Sequence, residues 1–358
     1  MTGPFLIDAH LDLALNAIEW NRDLTRPIAE IRAAESSLND KAGRGRGTVC
    51  FPEIRRAGIG LAVVTQIAKV KHADNFSPLN TWQSPAQAWA VTQAQFAWYR
   101  EMEEIGEIKL VSSKPDLERH IAHLKSGQPS PIGCILSLEG ADSLVTLKHL
   151  ERAHAQGLRA VGPAHYGDGI YAPGTGCTGG FTPPGRELLS EMDRLGMILD
   201  VTHLTDESFW EALKLYSGPI WASHHNCRAL TPDQRQLADD QIRALIERDA
   251  VIGTALDGWM LIPDWVRGKT TPQARQLRLE KAVDHIDHIC QIAGNSLHVG
   301  LGSDLDGGFG REQTPCDVET IADVRRFPDL IRQRGGSESD ALNFAHQNFL
   351  RVLRRGLQ

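Results

Sequence analysis

The chain has 358 residues, 41% of them hydrophobic and 23% charged, which is enough apolar side chain for a large core and too much for a disordered segment. Lys and Arg number 38 against 45 Asp and Glu, a formal net charge of −7, so no basic field attracts nucleic acid or an anionic membrane, and the short run Gly43-Arg44-Gly45-Arg46-Gly47 does not change that. Six scattered cysteines (Cys50, Cys134, Cys177, Cys227, Cys290 and Cys316) include no Cys-x-x-Cys pair, which argues against a disulfide framework or a structural zinc site and predicts mostly reduced, buried thiols.

Met1-Thr2-Gly3-Pro4-Phe5 opens an apolar stretch that Asp8 and Asp12 interrupt, with no Lys or Arg before Arg22. That pattern fits neither a signal peptide nor a membrane span, and a cytoplasmic protein is expected. Short apolar runs bounded by turn residues then recur at 5–10, 61–67, 132–139, 158–165, 197–203, 219–224, 251–256 and 298–304, separated by helix-length segments. Several are continuously apolar, as in parallel strands covered by helices on both faces. Thr205-Asp206-Glu207-Ser208, ahead of Phe209 to Leu213, and Thr231-Pro232, ahead of Ile242 to Ile246, read as helix starts. Eight such β-then-α units predict an α/β fold: a closed (β/α)8 barrel forming one domain over 1–358, with an open doubly wound sheet as the alternative. Segments 24–51 and 85–105 read as insertions over the C-terminal face of the strands.

His10, Glu139, His165, His203, His224 and Asp304 each stand at or beside the C-terminal end of a predicted strand, the face on which barrel enzymes carry their catalytic groups. One such coincidence means little, but six on one rim predict a site. His10 and Asp12 are two residues apart and project to the same side, so both can reach one ion. Glu139 ends an otherwise apolar strand, where a buried carboxylate is costly without a cation beside it. Its two oxygens can bridge two ions about 3.5–4 Å apart. His203 and His224 add imidazoles suited to zinc, and Asp304 adds a further carboxylate.

His10-x-Asp12, Ser137-Leu138-Glu139-Gly140, Asp200-Val201-Thr202-His203, Ser223-His224 and Gly302-Ser303-Asp304-Leu305-Asp306-Gly307 resemble, in order and spacing, the renal (membrane) dipeptidase family of the amidohydrolase superfamily. Gly157-Leu158-Arg159, Phe181-Thr182-Pro183-Pro184-Gly185, Glu191 to Met197 and Asn348 to Val352 extend the resemblance over nearly the whole chain. It implies a zinc-dependent dipeptidase with a binuclear centre: His10 and Asp12 on one Zn2+, His203 and His224 on the other, Glu139 bridging. Asp304 then handles the proton of the water between the ions, His165 donates to the developing oxyanion, and Arg235, eleven residues after His224, clamps the carboxylate of a dipeptide substrate. The chemistry agrees, because zinc lowers the pKa of bound water toward about 7 and a nearby carboxylate can pass its proton to the leaving amine. No nucleic acid or membrane partner is expected, and a homodimer is compatible with the sequence.

Several positions depart from the family pattern. Gly162-Pro163-Ala164-His165-Tyr166 replaces a Thr-containing approach to the substrate His, and the loop 167–180 is rich in glycine. His225 stands where a small residue is typical, which makes it a rival ligand, although Ser223-His224 and the spacing to Arg235 favour His224. Asp257, just past the seventh strand, has no counterpart and reads as a loop carboxylate, with attraction of the substrate's free amino group as the other reading. Gly174-Thr175-Gly176-Cys177-Thr178-Gly179 fits G-x-G-x-x-G, but it follows Pro173 without a strand-to-helix transition and reads as a loop. Asp304-Leu305-Asp306-Gly307 lacks the remaining acidic positions of a calcium loop. His285 and His288 read as a solvated helix face rather than a metal pair. The rival functions are hydrolysis of N-acyl amino acids, lactones or phosphoesters on the same barrel, and a non-catalytic metal-binding barrel.

Overall fold

The eight apolar runs form eight parallel strands: β1 (Leu6–Leu11), β2 (Ile59–Ile67), β3 (Ile132–Glu139), β4 (Leu158–Gly162), β5 (Ile198–Asp200), β6 (Ile220–Trp221), β7 (Ile252–Thr254) and β8 (Val299–Leu301). They are seen in a computed structural model that describes residues 5–72 and 80–357. Their hydrogen-bonded order is β7-β8-β1-β2-β3-β4-β5-β6. The ring closes between β6 and β7 through an Ala222–Ile252 bridge, where the Ala222 N–H donates to Val251 O at 3.0 Å and the Gly253 N–H to Ala222 O at 2.8 Å. The architecture is the (β/α)8 barrel. A short additional strand, Ile108–Leu110, pairs alongside the start of β3.

Alternation along the strands explains how the ring is filled. Ile7, Leu61, Val63, Ile135, Ala160, Ile198, Trp221 and Val251 belong to one apolar cluster although their strands lie around the whole ring, so this cluster occupies the barrel interior. The C-terminal helix Asn348–Gly356 adds Phe349, Leu350 and Leu353 and plugs the N-terminal end. A Cβ on Gly300 would meet the Phe349 ring at 2.5 Å, so glycine there lets the plug seat. One or two inward steps farther along the same strands stand Thr65, Glu139, Asp200 and Ser223. The lumen is therefore apolar below and polar above.

The connections position that polar end. Thr205 caps Asp206–Leu215 as expected, its hydroxyl accepting from Ser208 N at 3.1 Å. Thr231-Pro232 does not open a helix; the next one is Asp239–Glu247. The chain from 231 to 238 stays a loop because its side chains are drawn into the barrel mouth, as when Gln236 donates to Met260 O at 2.8 Å. Segment 24–51 is tied over β8 by Asp306, which accepts from Thr48 N at 2.8 Å and from Val49 N at 3.0 Å and pairs with Arg22 at 3.2 Å. Asp306 is thus a strap between loops, as its poor fit to a calcium loop suggests. Helix Pro85–Glu104 completes the end of β2: β1 stops opposite Val64, and beyond it Gln95 bonds both the N–H and the carbonyl of Ile67 at 2.8 Å.

Two expectations are corrected. His285 is not on a solvated face: it is buried, accepts from Cys227 N at 3.1 Å and contacts Leu261 O at 3.1 Å, because helix Glu280–Ala293 packs that side against the barrel loops. His288 is partly exposed and pairs with Asp239 at 2.8 Å. All six cysteines are free, but only Cys50, Cys134 and Cys227 are fully buried. Among the described residues, no helix is long and apolar enough to cross a membrane.

Candidate metal centre and substrate pocket

Seven of the eight site residues expected from the sequence line one chamber at the C-terminal mouth of the barrel: Asp12, Glu139, His165, His203, His224, Arg235 and Asp304. The eighth, His10, is buried against them, its Nε2 lying 3.5 Å from Glu139, 3.7 Å from Asp12 and 3.8 Å from Asp304. On the other side of Glu139, His203 Nε2 and His224 Nε2 stand 3.2 and 3.5 Å from Oε1. Glu139 therefore offers one oxygen to each half of the cluster. The strands end earlier than the sequence suggests, so His165, His203, His224 and Asp304 each lie three residues beyond them. His203 and Asp304 take the left-handed backbone conformation, with φ of 68° and 56°, a strain of about 1–3 kcal/mol each that the surrounding bonds must hold.

Those bonds orient the rings. Thr175 Oγ1 lies 2.8 Å from His203 Nδ1, and Ser223 Oγ lies 2.9 Å from His224 Nδ1, which leaves each Nε2 turned to the cluster. Thr65 holds Asp12 through its hydroxyl. Asp8 accepts from Ser303 N at 2.9 Å and from Ser303 Oγ at 2.6 Å, locking the end of β1 to the loop that carries Asp304. The loop 167–180 folds back on His165: Thr175 N–H donates to His165 O at 2.9 Å, and a Cβ on Gly174 would strike that oxygen at 1.7 Å. The G-x-G-x-x-G run is a loop, and its work is to deliver Thr175.

The donor set fits divalent metal. Among the described residues, His10-Asp12-Glu139, Glu139-His203-His224 and His10-His224-Asp304 each place three ligand atoms within 4.8 Å of one another. His10 Nε2 is buried without a hydrogen-bond partner. Burial opposes a charge on His10, yet Glu139, Asp12 and Asp304 overcome it and push its pKa up to about 10. Asp304 goes well above the usual carboxylate range through burial, reinforced by Asp12, Glu139 and Asp257. Such an anionic excess, with imidazole and carboxylate donors already converged, is what a cation neutralises. Of the two neighbouring imidazoles, His224 belongs to two of these groups, whereas His225 belongs to none and its ring faces the backbone of Arg235.

Arg235 is not the solvated helix residue that its neighbour Asp233 suggests; it is 3% exposed. Its Nη2 donates to His224 O at 2.9 Å and lies 3.5 Å from His203 Nε2, while Nε and Nη1 are buried without partners among the described residues. His165, also buried, has an unpartnered Nδ1, and burial pushes its pKa down to about 4, so the ring is neutral near pH 7. Asp257 is buried rather than a solvated loop carboxylate, and burial pushes it up to about 6. Tyr166, Trp259, Arg267 and Gln313 also line the chamber and were not singled out in the sequence. Tyr166 and Trp259 adjoin flagged residues, whereas nothing local marks Arg267.

The profile of the membrane dipeptidase family, peptidase family M19, matches residues 1–356. The chain is 30% identical over 258 residues to an uncharacterized protein encoded in the pqqA 5′ region of Klebsiella pneumoniae, covering 70% of this chain and 89% of that one. It is 29% identical over 357 residues to an uncharacterized dipeptidase of Schizosaccharomyces pombe, covering 97% and 80%. Its fold is shared by a dipeptidase of family M19 with a TM-score of 0.80 at 23% identity, over 99% of both chains. A metallopeptidase from Rhodobacter sphaeroides, solved with a phosphinate mimic of the dipeptide L-Ala-D-Ala, superposes with a TM-score of 0.79 at 23% identity over 99% of this chain and 100% of that one. This chain belongs to the membrane dipeptidase family and is a metallo-dipeptidase.

Proposed function

We propose that this chain hydrolyses the peptide bond of free dipeptides at a binuclear zinc centre, with His10 and Asp12 holding one ion, His203 and His224 the other, and Glu139 between them. The observation that carries the reading is Arg235: two buried, unpartnered N–H groups on a guanidinium whose third nitrogen is 3.5 Å from His203 Nε2. A carboxylate held by this guanidinium lies next to the ligand cluster, which suits a substrate whose C-terminus is close to the scissile bond. The dipeptide mimic bound by the Rhodobacter sphaeroides relative supports the same substrate length.

Zinc, when bound, would supply activation of water and polarisation of the scissile carbonyl. The chain supplies the rest. Arg235 binds the terminal carboxylate and aligns the carbonyl over Glu139. His165, neutral at pH 7, donates an N–H to the oxygen on which negative charge grows. Asp304, 3.8 Å from His10 and raised in pKa by burial, takes the proton of the attacking water on its carboxylate and returns it to the leaving nitrogen.

The test is a panel of L,L- and L,D-dipeptides assayed with metal content measured on the same sample. Close to two zinc ions per chain and turnover that disappears with chelation are expected. Full activity in metal-free protein, or turnover of lactones and phosphoesters without dipeptides, overturns the proposal.

A further inference from the structure

A second buried charged group in the chamber has an oxygen left open. Asp257 is 4% exposed and lines the same space as Arg235. Its Oδ2 stands 3.6 Å from Arg267 Nη2, too far for a hydrogen bond. Arg267 is committed elsewhere: it donates to the Tyr166 hydroxyl at 3.1 Å and lies over the Trp259 ring at 4.9 Å. The other oxygen, Asp257 Oδ1, is buried without a hydrogen-bond partner among the described residues. Glu312 adds negative charge on that side, with Oε2 likewise buried and unpartnered. One part of the chamber thus offers an unmatched cationic fork, and another an unmatched anionic oxygen.

We propose that Asp257 is the subsite for the substrate's free α-ammonium group, so that Arg235 and Asp257 together read the two charged ends of a dipeptide zwitterion. The inference rests on the dipeptidase reading and narrows it. An ammonium group against Oδ1 supplies the missing donor and adds a second cation to that of Arg267 on the other oxygen. An N-acyl amino acid, a lactone or a phosphoester brings no cation to that oxygen and leaves it unpaired on binding. Asp257 therefore selects against those substrates, whereas the metal ligands, which serve any hydrolysis on this barrel, do not.

The experiment compares an alanine dipeptide (L-Ala-L-Ala or L-Ala-D-Ala, whichever the zinc-loaded enzyme hydrolyses faster) with N-propionyl-alanine of the same configuration, which lacks only the amino group. Wild-type kcat/KM should favour the dipeptide by at least about 30-fold. Asp257→Asn should bring the ratio to within about threefold of unity, mainly by raising KM for the dipeptide while N-propionyl-alanine changes little. A merely structural role for Asp257 would instead lower both substrates together and keep the ratio. Equal wild-type rates on the two compounds, or an unchanged preference in Asp257→Asn, overturn the inference and leave the dipeptidase reading standing. Failure of the zinc-loaded wild type to hydrolyse either alanine dipeptide overturns that reading and the inference with it. Where Asp257→Asn does not fold, Asp257→Glu, which keeps the carboxylate but moves it, takes its place and should shrink the preference for the dipeptide; an unchanged preference there, or equal wild-type rates, overturns the inference.

Discussion

Arg235 illustrates how much a single side chain depends on its surroundings. Burial lowers the pKa of its guanidinium from the ordinary value, with Tyr166, Asp304 and Glu139 opposing, and among the described residues only one of its three nitrogens has a hydrogen-bond acceptor in reach. A buried guanidinium left so open is poorly matched, and in the proposed reaction a substrate carboxylate supplies the match. Losing one partner of such a pair costs on the order of 2–5 kcal/mol. Arg235→Met should therefore lower kcat/KM for dipeptides by at least about 30-fold and abolish the preference for acid over amide at the substrate's C-terminus, with zinc content retained. Steady-state kinetics on paired free and amidated dipeptides check this; equal wild-type rates on both would remove Arg235 from substrate binding. In the sequence, Arg235 beside Asp233 looks like any surface pair, and only the spacing shared with a family singles it out. His224 and His225 are a similar case: identical in chemistry, they are separated by which ring the barrel turns toward Glu139.

At the scale of elements, the loops beyond the strands do more than the strand patterns suggest. Apolar runs mark β1 to β8 because buried parallel strands must be apolar, yet His203 and Asp304 sit past the strand ends in left-handed backbone. Thr175 reaches His203 only because the glycine-rich loop 167–180 packs on His165 O. Helix Glu280–Ala293 is held to the barrel by His285, whose burial pushes its pKa down to about 4. The unfolded chain then binds a proton that the folded chain refuses between roughly pH 6.5 and 4, so His285 contributes stability that is present above about pH 6.5 and lost as pH falls through that window. The stability advantage of the wild type over His285→Gln in urea unfolding should shrink by about 3 kcal/mol from pH 6.5 to 4, at 1.36 kcal/mol per pKa unit. An advantage that stays constant would mean that the folded chain binds the proton as readily as the unfolded one, so that burial does not shift this imidazole. The helix itself is legible from its periodicity, but its buried histidine is not, since a polar residue on a packed face looks like one on a wet face.

For the whole molecule, the barrel divides into an apolar floor, plugged by the C-terminal helix, and a polar mouth crowded with carboxylates. Asp12, Glu139 and Asp304 surround His10 closely enough to oppose one another, so the fold carries an electrostatic cost that a bound cation would relieve. Metal removal should therefore destabilise the protein as a whole. Zinc at about a hundredfold over its Kd adds about 2.7 kcal/mol, which corresponds to a Tm roughly 4 °C higher in a chain of this size. Scanning calorimetry of chelated and reconstituted protein measures the shift, and an unchanged Tm would mean that the cluster binds no ion. The eight strands and the grouping of acid and imidazole residues at their ends could be read from the sequence, because hydrogen-bonding geometry and burial impose short periods on neighbouring residues. The partners of Asp306, Gln95 and Asp257, and the turn of His224 rather than His225 into the cluster, were decided only in three dimensions. Those contacts join residues tens to hundreds of positions apart, and no local pattern encodes which distant side chain a folded ring brings within hydrogen-bond reach.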